Sequence, residues 1–190
     1  MSKENILTEQ FVNDLLFKKP YVAFLDILGF KSLVLNNKHE ILIDLYELLM
    51  NFQVDFCETH YNYENIKIII VSDSIILWTE DSQEKTLIQL LEVVKFLLLH
   101  SISIGIPLRG SIVKDNISAL ERNGTLSLVG LGLVRAYESE NIQNWSGCFV
   151  EEQIIKTIEN YNKVLLRNKT SHIKTLKTLL VKTEIPIKKN

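Results

Sequence analysis

Residues 21–30 read Tyr-Val-Ala-Phe-Leu-Asp-Ile-Leu-Gly-Phe, an apolar run that ends in a glycine turn and carries a single carboxylate, Asp26. A strand with so little polar content has no face to offer to water, so it belongs in the middle of a sheet covered on both sides. An ionised Asp in such a strand is costly unless a partner compensates it. A second run, Ile66 to Trp78, repeats the anomaly, with Asp73 set between Ser72 and Ser74 where two apolar strands must turn. Two carboxylates at the ends of neighbouring buried strands form an oxygen cage suited to a hard divalent cation, which keeps places open for phosphate.

With 190 residues and 46% hydrophobic content, the chain can bury one sizeable core, so a single domain is expected. Its core would span about residues 20–150, with a basic C-terminal extension over 151–190. A net charge of −2 carries no general nucleic-acid footprint. The charge is unevenly spread: from Lys163 onward there are eight Lys or Arg against one acidic residue, Glu184, which reads as a solvated basic face. The two cysteines, Cys57 and Cys148, form no short-spaced pair and suit a reduced compartment. The opening Met-Ser-Lys-Glu-Asn lacks the apolar core of a signal peptide. Glu92, Lys95 and His100 interrupt the most apolar helical stretch, Leu87 to Ile106, so no membrane span and a cytoplasmic location are expected.

Along the chain, Ile6, Phe11, Val12, Leu15 and Leu16 suggest a short amphipathic lead-in ended by Pro20. After Gly29 a short helix over Phe30 to Leu35 is expected, then a long amphipathic one from about His39 to His60. Strands at Ile66 to Val71 and Ile75 to Thr79 follow. Asp81-Ser-Gln-Glu84 has the form of a helix N-cap, and Leu87, Leu90, Leu91, Val94, Leu97 and Leu98 mark the helix behind it. Pro107 to Val113 reads as a strand, Asn123-Gly124 as a turn in an irregular arm, and Gly130 to Glu140 as a helix. Cys148 to Val150 is a strand and Glu151 to Tyr161 a further helix. This order predicts an α/β (α+β) sandwich in which helices cover one face of a mainly antiparallel sheet around a ferredoxin-like βαββαβ core.

Four stretches, in order, resemble one known family. Asp26-Ile-Leu-Gly-Phe30 is similar to the Asp-Ile-x-Gly-Phe motif of class III nucleotidyl cyclases, the adenylate and guanylate cyclase catalytic domains. Val71-Ser-Asp-Ser74 falls where that family has its Gly-Asp hairpin, and Leu108-Arg-Gly-Ser-Ile112 resembles its Arg-x-Gly-Ile strand. Gly130 to Glu140 resembles the helix ending in an Ala-Arg-Leu-Glu-like sequence. The set covers about residues 20–150.

The resemblance implies two Mg²⁺ or Mn²⁺ ions held by Asp26, Asp73 and the backbone carbonyl of Ile27, one activating the ribose 3′-hydroxyl and one binding the triphosphate. It implies that the amides of Leu28, Gly29 and Phe30 cradle phosphate oxygens at a helix start. It also implies a homodimer with its sites at the interface. The chain departs from the family pattern at several positions. Ile69 stands where purine-specific members carry Lys, and Leu126 where they carry Asp, so the usual reading of a purine edge is not available. The Asn and Arg of the last helix align with Leu133 and Tyr137; a shift of two residues makes Arg135 the phosphate-facing cation. Metal carboxylates kept and purine readers lost resemble the divergent bacterial cyclases that make cyclic UMP or cyclic CMP as an anti-phage alarm. Glu184-Ile-Pro-Ile-Lys188 looks like a late strand motif of such proteins.

Plainer readings stand beside these. Asp73 alone could be a hairpin Asx-turn. Gly130-Leu-Gly132 lacks the third glycine of a dinucleotide loop, since that position is Arg135, and fits helix-start packing better. Arg109 reads as a structural or interface cation. His39, His60, His100 and His172 have no zinc-ligand spacing, and no nucleophile-elbow or phosphate-loop sequence occurs. A diguanylate-type enzyme lacks support because its Gly-Gly-Asp/Glu-Glu/Asp-Phe hairpin is missing. Two classes therefore remain: a cyclase acting on a nucleoside triphosphate, or a catalytically silent cyclase-like module that binds nucleotide or dimerises.

Overall fold

The computed structural model describes residues 19–59, 63, 65–167 and 180–188. The lead-in helix expected before Lys19 and most of the basic tail lie outside these residues. The elements run β1 (Tyr21–Ile27), α1 (Phe30–Leu35), α2 (His39–Thr59), β2 (Ile66–Val71), β3 (Ser74–Thr79), α3 (Glu84–Ser103), β4 (Leu108–Lys114), β5 (Ser118–Arg122), β6 (Thr125–Val129), α4 (Leu131–Asn141), β7 (Gly147–Val150) and α5 (Glu152–Arg167).

As its composition demands, β1 is the middle strand of a five-stranded sheet ordered β2-β3-β1-β4-β7. Every pairing is antiparallel except that of β4 with β7. Alternate β1 residues feed two different cores. Tyr21, Ala23, Leu25 and Ile27 enter the larger one, with Leu42, Leu45 and Leu49 of α2, Leu87, Leu90 and Leu97 of α3, and Ile154 and Ile158 of α5. Full burial of a Leu or Ile contributes roughly 1.5–3 kcal/mol. Leu25 and Ile27, both buried, thus offset the cost of placing Asp26 between them.

Val22 and Phe24 point the other way, into a smaller cluster with Ile76, Trp78, Val113, Ile117 and Ala136 of α4. The helices were expected on one face only; α4 occupies the second. It can lie this close because of Gly132, where a Cβ would come within 2.9 Å of the Asn116 carbonyl oxygen and 3.0 Å of Val22 Cγ2. The glycine pair at the start of α4 therefore serves packing. Ser111 Oγ then ties the helix to β4 by donating to the Ala136 carbonyl at 2.6 Å.

Three local expectations are corrected. The arm over 118–129 is a regular hairpin, because Asn123 and Gly124 take the left-handed conformation (φ 54° and 74°) that a two-residue turn between twisted strands needs. Helix α3 is capped by Gln83, two residues after the expected cap, since Asp81 Oδ1 accepts from the Gln83 amide at 2.9 Å and makes a turn of its own before the helix. Helix α5 continues past Tyr161 to Arg167. By length and composition α3 could cross a membrane, but half of that stretch is buried inside the protein, where it packs on the sheet.

Candidate active site

Asp26 sits one residue before the end of β1, on the α4 side of the sheet, opposite Ser74 on one neighbour and Arg109 on the other. The β2–β3 turn brings Asp73 beside it: the Ile27 amide donates to the Asp73 carbonyl at 3.0 Å. Ser72 holds the left-handed conformation that lets the turn close (φ 56°), and Tyr46 of α2 props it by donating its hydroxyl to the Ser72 carbonyl at 2.7 Å. The two acidic residues are thus placed by backbone pairing, not by long side chains.

Negative charge accumulates here. Burial first, then the carboxylates of Glu140 and Asp73, push the Asp26 carboxyl up to about 6, against the opposing pull of Arg109 and Lys188. Glu140 lies at the end of α4 and is 2% exposed. Arg109 links the two acids: Nε donates to Glu140 Oε1, Nη1 donates to the Gln143 carbonyl at 3.1 Å, and Nη2 stands 3.6 Å from Asp26 Oδ2.

Arg109, read from sequence as a structural or interface cation, does tie β4 to Glu140 and Gln143, and it also stands beside Asp26, because β4 pairs with β1 in the register that sets the two opposite each other. Glu140 was not singled out at all. Its signal was its spacing: four residues after buried Ala136 it must share that helix's inward face. Lys188 is a further arrival. The Lys188 amide donates to the Ile142 carbonyl at 2.8 Å, and Nζ donates to Asn141 Oδ1 at 2.7 Å.

The expected site residues are not all gathered in one place. Asp26, Ile27, Leu28, Gly29, Phe30 and Asp73 cluster at one end of β1. Gly29 takes φ 79° and leads into α1, so its amide and that of Phe30 are the ones placed for an anion. The Leu28 amide, one of the three expected to face phosphate, is taken by the Pro107 carbonyl at 3.0 Å. Ile69 and Tyr137 border the same sheet face next to Phe24, which meets the Tyr137 ring edge-on at 5.6 Å. Leu126 lies on the β5–β6 arm, 37% exposed. Arg135 stands at the other end of the sheet, where it donates to Asp115 Oδ2 at 2.6 Å and pairs with Glu151. Asp115 follows β4 by one residue, whereas Arg109 is near its start, so about 20 Å of strand separates the two arginines.

Among the described residues no group of three or more His, Cys, Asp or Glu side chains forms a ready metal cage. The donors at the end of β1 nevertheless fit a hard cation. They are oxygens only, two of them carboxylates, and burial, followed by the charges of Glu140 and Asp73, disfavours the ionised Asp26 that a divalent ion would stabilise.

No protein-family model matches the sequence, and no curated protein matches it. Solved structures do match by fold. The dimeric guanylyl cyclase domain of the RhoGC fusion protein from the aquatic fungus Blastocladiella emersonii superposes with a TM-score of 0.50, covering 76% of this chain and 85% of that one at 16% identity. The guanylyl cyclase Cya2 gives a TM-score of 0.49 over 73% of this chain and 77% of its own, at 11% identity.

The fold is that of class III nucleotidyl cyclase domains.

In this cyclase-like domain the mixed α+β build and the mainly antiparallel sheet are those expected from the sequence. Within a single cyclase-like chain, the acidic end of the sheet and Arg135 cannot act on one small ligand.

Proposed function

We propose that the chain is a nucleotidyl cyclase that converts a nucleoside triphosphate, a pyrimidine one (UTP or CTP), into its 3′,5′-cyclic monophosphate and pyrophosphate. The observation that carries this reading is the meeting of Asp26 and Asp73 at adjoining strand ends, beside the Gly29 turn. Asp26, Asp73 and the Ile27 carbonyl would hold two Mg²⁺ or Mn²⁺ ions, which lower the pKa of the 3′-hydroxyl and neutralise the triphosphate. The amides of Gly29 and Phe30 bind phosphate oxygens, and Arg109 adds a fixed positive charge at the edge of the same site. Ile69 and Leu126 offer no hydrogen bond to a purine edge, which favours a smaller base.

A homodimer completes the arrangement. Leu131, Val134 and Tyr137 on α4 and Leu120, Leu126 and Val129 on the arm are exposed apolar side chains on the elements that would face a second copy. A head-to-tail pair would bring the acidic end of one chain to the partner's Arg135, the cation assigned to the transferring phosphate. A cytoplasmic role in anti-phage signalling fits a cyclic pyrimidine product.

A second reading has its own support. Leu133 and Tyr137 replace the family's Asn and Arg, and Arg135 is engaged by Asp115 and Glu151, so the chain could be a silent module that binds nucleotide without turnover. Incubating the purified protein with Mn²⁺ and each of the four NTPs, with mass spectrometry of the products, separates the two. A cyclic pyrimidine nucleotide supports the enzyme; nucleotide-dependent thermal stabilisation with no product supports the module.

A further inference from the structure

Gln143 is 1% exposed and makes a hydrogen bond with every polar group it has. Its Nε2 donates to the Gly110 carbonyl of β4 at 2.9 Å and to the Ser139 carbonyl at 2.6 Å. Its Oε1 accepts from Trp145 Nε1 at 2.7 Å. Its amide donates to the Glu140 carbonyl at 3.1 Å, and its own carbonyl accepts from Arg109 Nη1 at 3.1 Å. Two side-chain donors and one acceptor in this arrangement require an amide: a Glu would set a carboxylate against two carbonyls, and an apolar side chain would take a partner from one buried and two partly buried groups.

The turn that carries Gln143 is gripped from both sides. The Trp145 ring lies against Gly147, where a Cβ would come within 3.0 Å of it. On the outside the segment 180–188 adds a short bridge: Ile187 pairs with Gln143, and the Asn144 amide donates to the Pro186 carbonyl at 2.8 Å.

We propose that Gln143 is a positioning residue that fixes the plane of the Arg109 guanidinium so that Nη2 faces Asp26. Glu140 alone holds the guanidinium at Nε and leaves it free to swing; the Gln143 carbonyl at Nη1 supplies the second point that defines a plane. The proposal rests on the cyclase reading only in treating Asp26 as an active-site carboxylate. Arg109 side-chain order can be read without any substrate.

The test follows the Arg109 Nε–H signal by ¹⁵N-edited NMR in the full chain, assigned by its loss in Arg109→Lys. Trp145→Phe removes the bond to Gln143 Oε1 together with the outer indole atoms over Gly147; Gln143→Met leaves Trp145 in place and removes all three side-chain bonds. We expect exchange of the Arg109 Nε–H with water to quicken about tenfold in Trp145→Phe, with backbone shift changes confined to the turn around Gly147. Gln143→Met should quicken it further, and if that variant fails to fold, Trp145→Phe decides. With the nucleotide assay running, Trp145→Phe should lower kcat and leave KM for the NTP unchanged. An Arg109 signal as protected in folded Trp145→Phe as in wild type overturns the proposal. A wild-type protein with no turnover but a mobile Arg109 in Trp145→Phe would sink the cyclase reading and leave the positioning role standing.

Discussion

Arg109 Nη2 lies 3.6 Å from Asp26 Oδ2 across the β1–β4 ladder, while Nε of the same guanidinium is bonded to Glu140. One cation is thus shared by two acids on different elements, and Asp73 adds a third negative charge from the hairpin turn. Such an arrangement is under-neutralised, and its response to protons, metal and mutation can be stated in advance.

Replacing Asp26 with Asn removes a carboxylate that burial and its neighbours disfavour. The variant should melt at a higher temperature than wild type in EDTA, with Tm rising by roughly 2–4 °C per kcal/mol gained. It should also lose the Tm gain that Mn²⁺ gives wild type. Differential scanning fluorimetry with and without Mn²⁺ reads both effects; a retained Mn²⁺ response would remove Asp26 from the ligand set.

The pH dependence has a definite sign. The Asp26 carboxyl is raised from 3.8 to about 6, so the native state holds that proton more tightly than the unfolded chain does. Its contribution to metal-free stability is fully present below the unfolded value and is lost as pH rises through about 6. Mn²⁺ needs the ionised form, so stabilisation by Mn²⁺ should appear over the same range in the opposite direction. Thermal melts from about pH 5 to about pH 8 test this, and a Mn²⁺ gain that stays flat would contradict it.

Glu140→Gln leaves the Arg109 guanidinium without its buried counter-ion. Breaking a buried pair from one side typically costs about 3 kcal/mol or more. The midpoint of urea denaturation should fall accordingly. A change within about 0.5 kcal/mol would show that Asp26 and the Gln143 carbonyl suffice to hold Arg109.

Gly110→Ala should destabilise through a backbone clash. The added Cβ would lie 2.2 Å from Leu25 Cδ2 and 2.6 Å from the Phe24 carbonyl oxygen, and the carbonyl belongs to a central strand that cannot yield. A loss of about 1–3 kcal/mol is expected in chemical denaturation.

Complementation tests the shared site. Asp26→Ala and Arg135→Ala should each be inactive alone. When mixed, half the dimers pair unlike chains and each has one intact site, so about a quarter of wild-type turnover should return. No recovery from two folded, dimeric variants would place Arg135 outside the reaction and leave it as the bond between Asp115, Glu151 and α4.

Much of this was legible in one dimension. The all-apolar setting of Asp26 required a central strand, since neither face of Val22 to Ile27 could meet water, and the three- and four-residue spacing of Leu42, Leu45 and Leu49 required a helix to cover it. Asp73 was legible as a turn acid because two strands had to reverse around it. These features depend on neighbours within a few residues, and local periodicity records them. The roles of Arg109, Glu140 and Gln143 depend instead on strand register and on the return of α4 across the sheet, contacts between residues more than thirty positions apart. Local sequence carries no record of such pairings, so only the folded chain could set Arg109 between Asp26 and Glu140 and leave Arg135 of α4 beside the far end of β4.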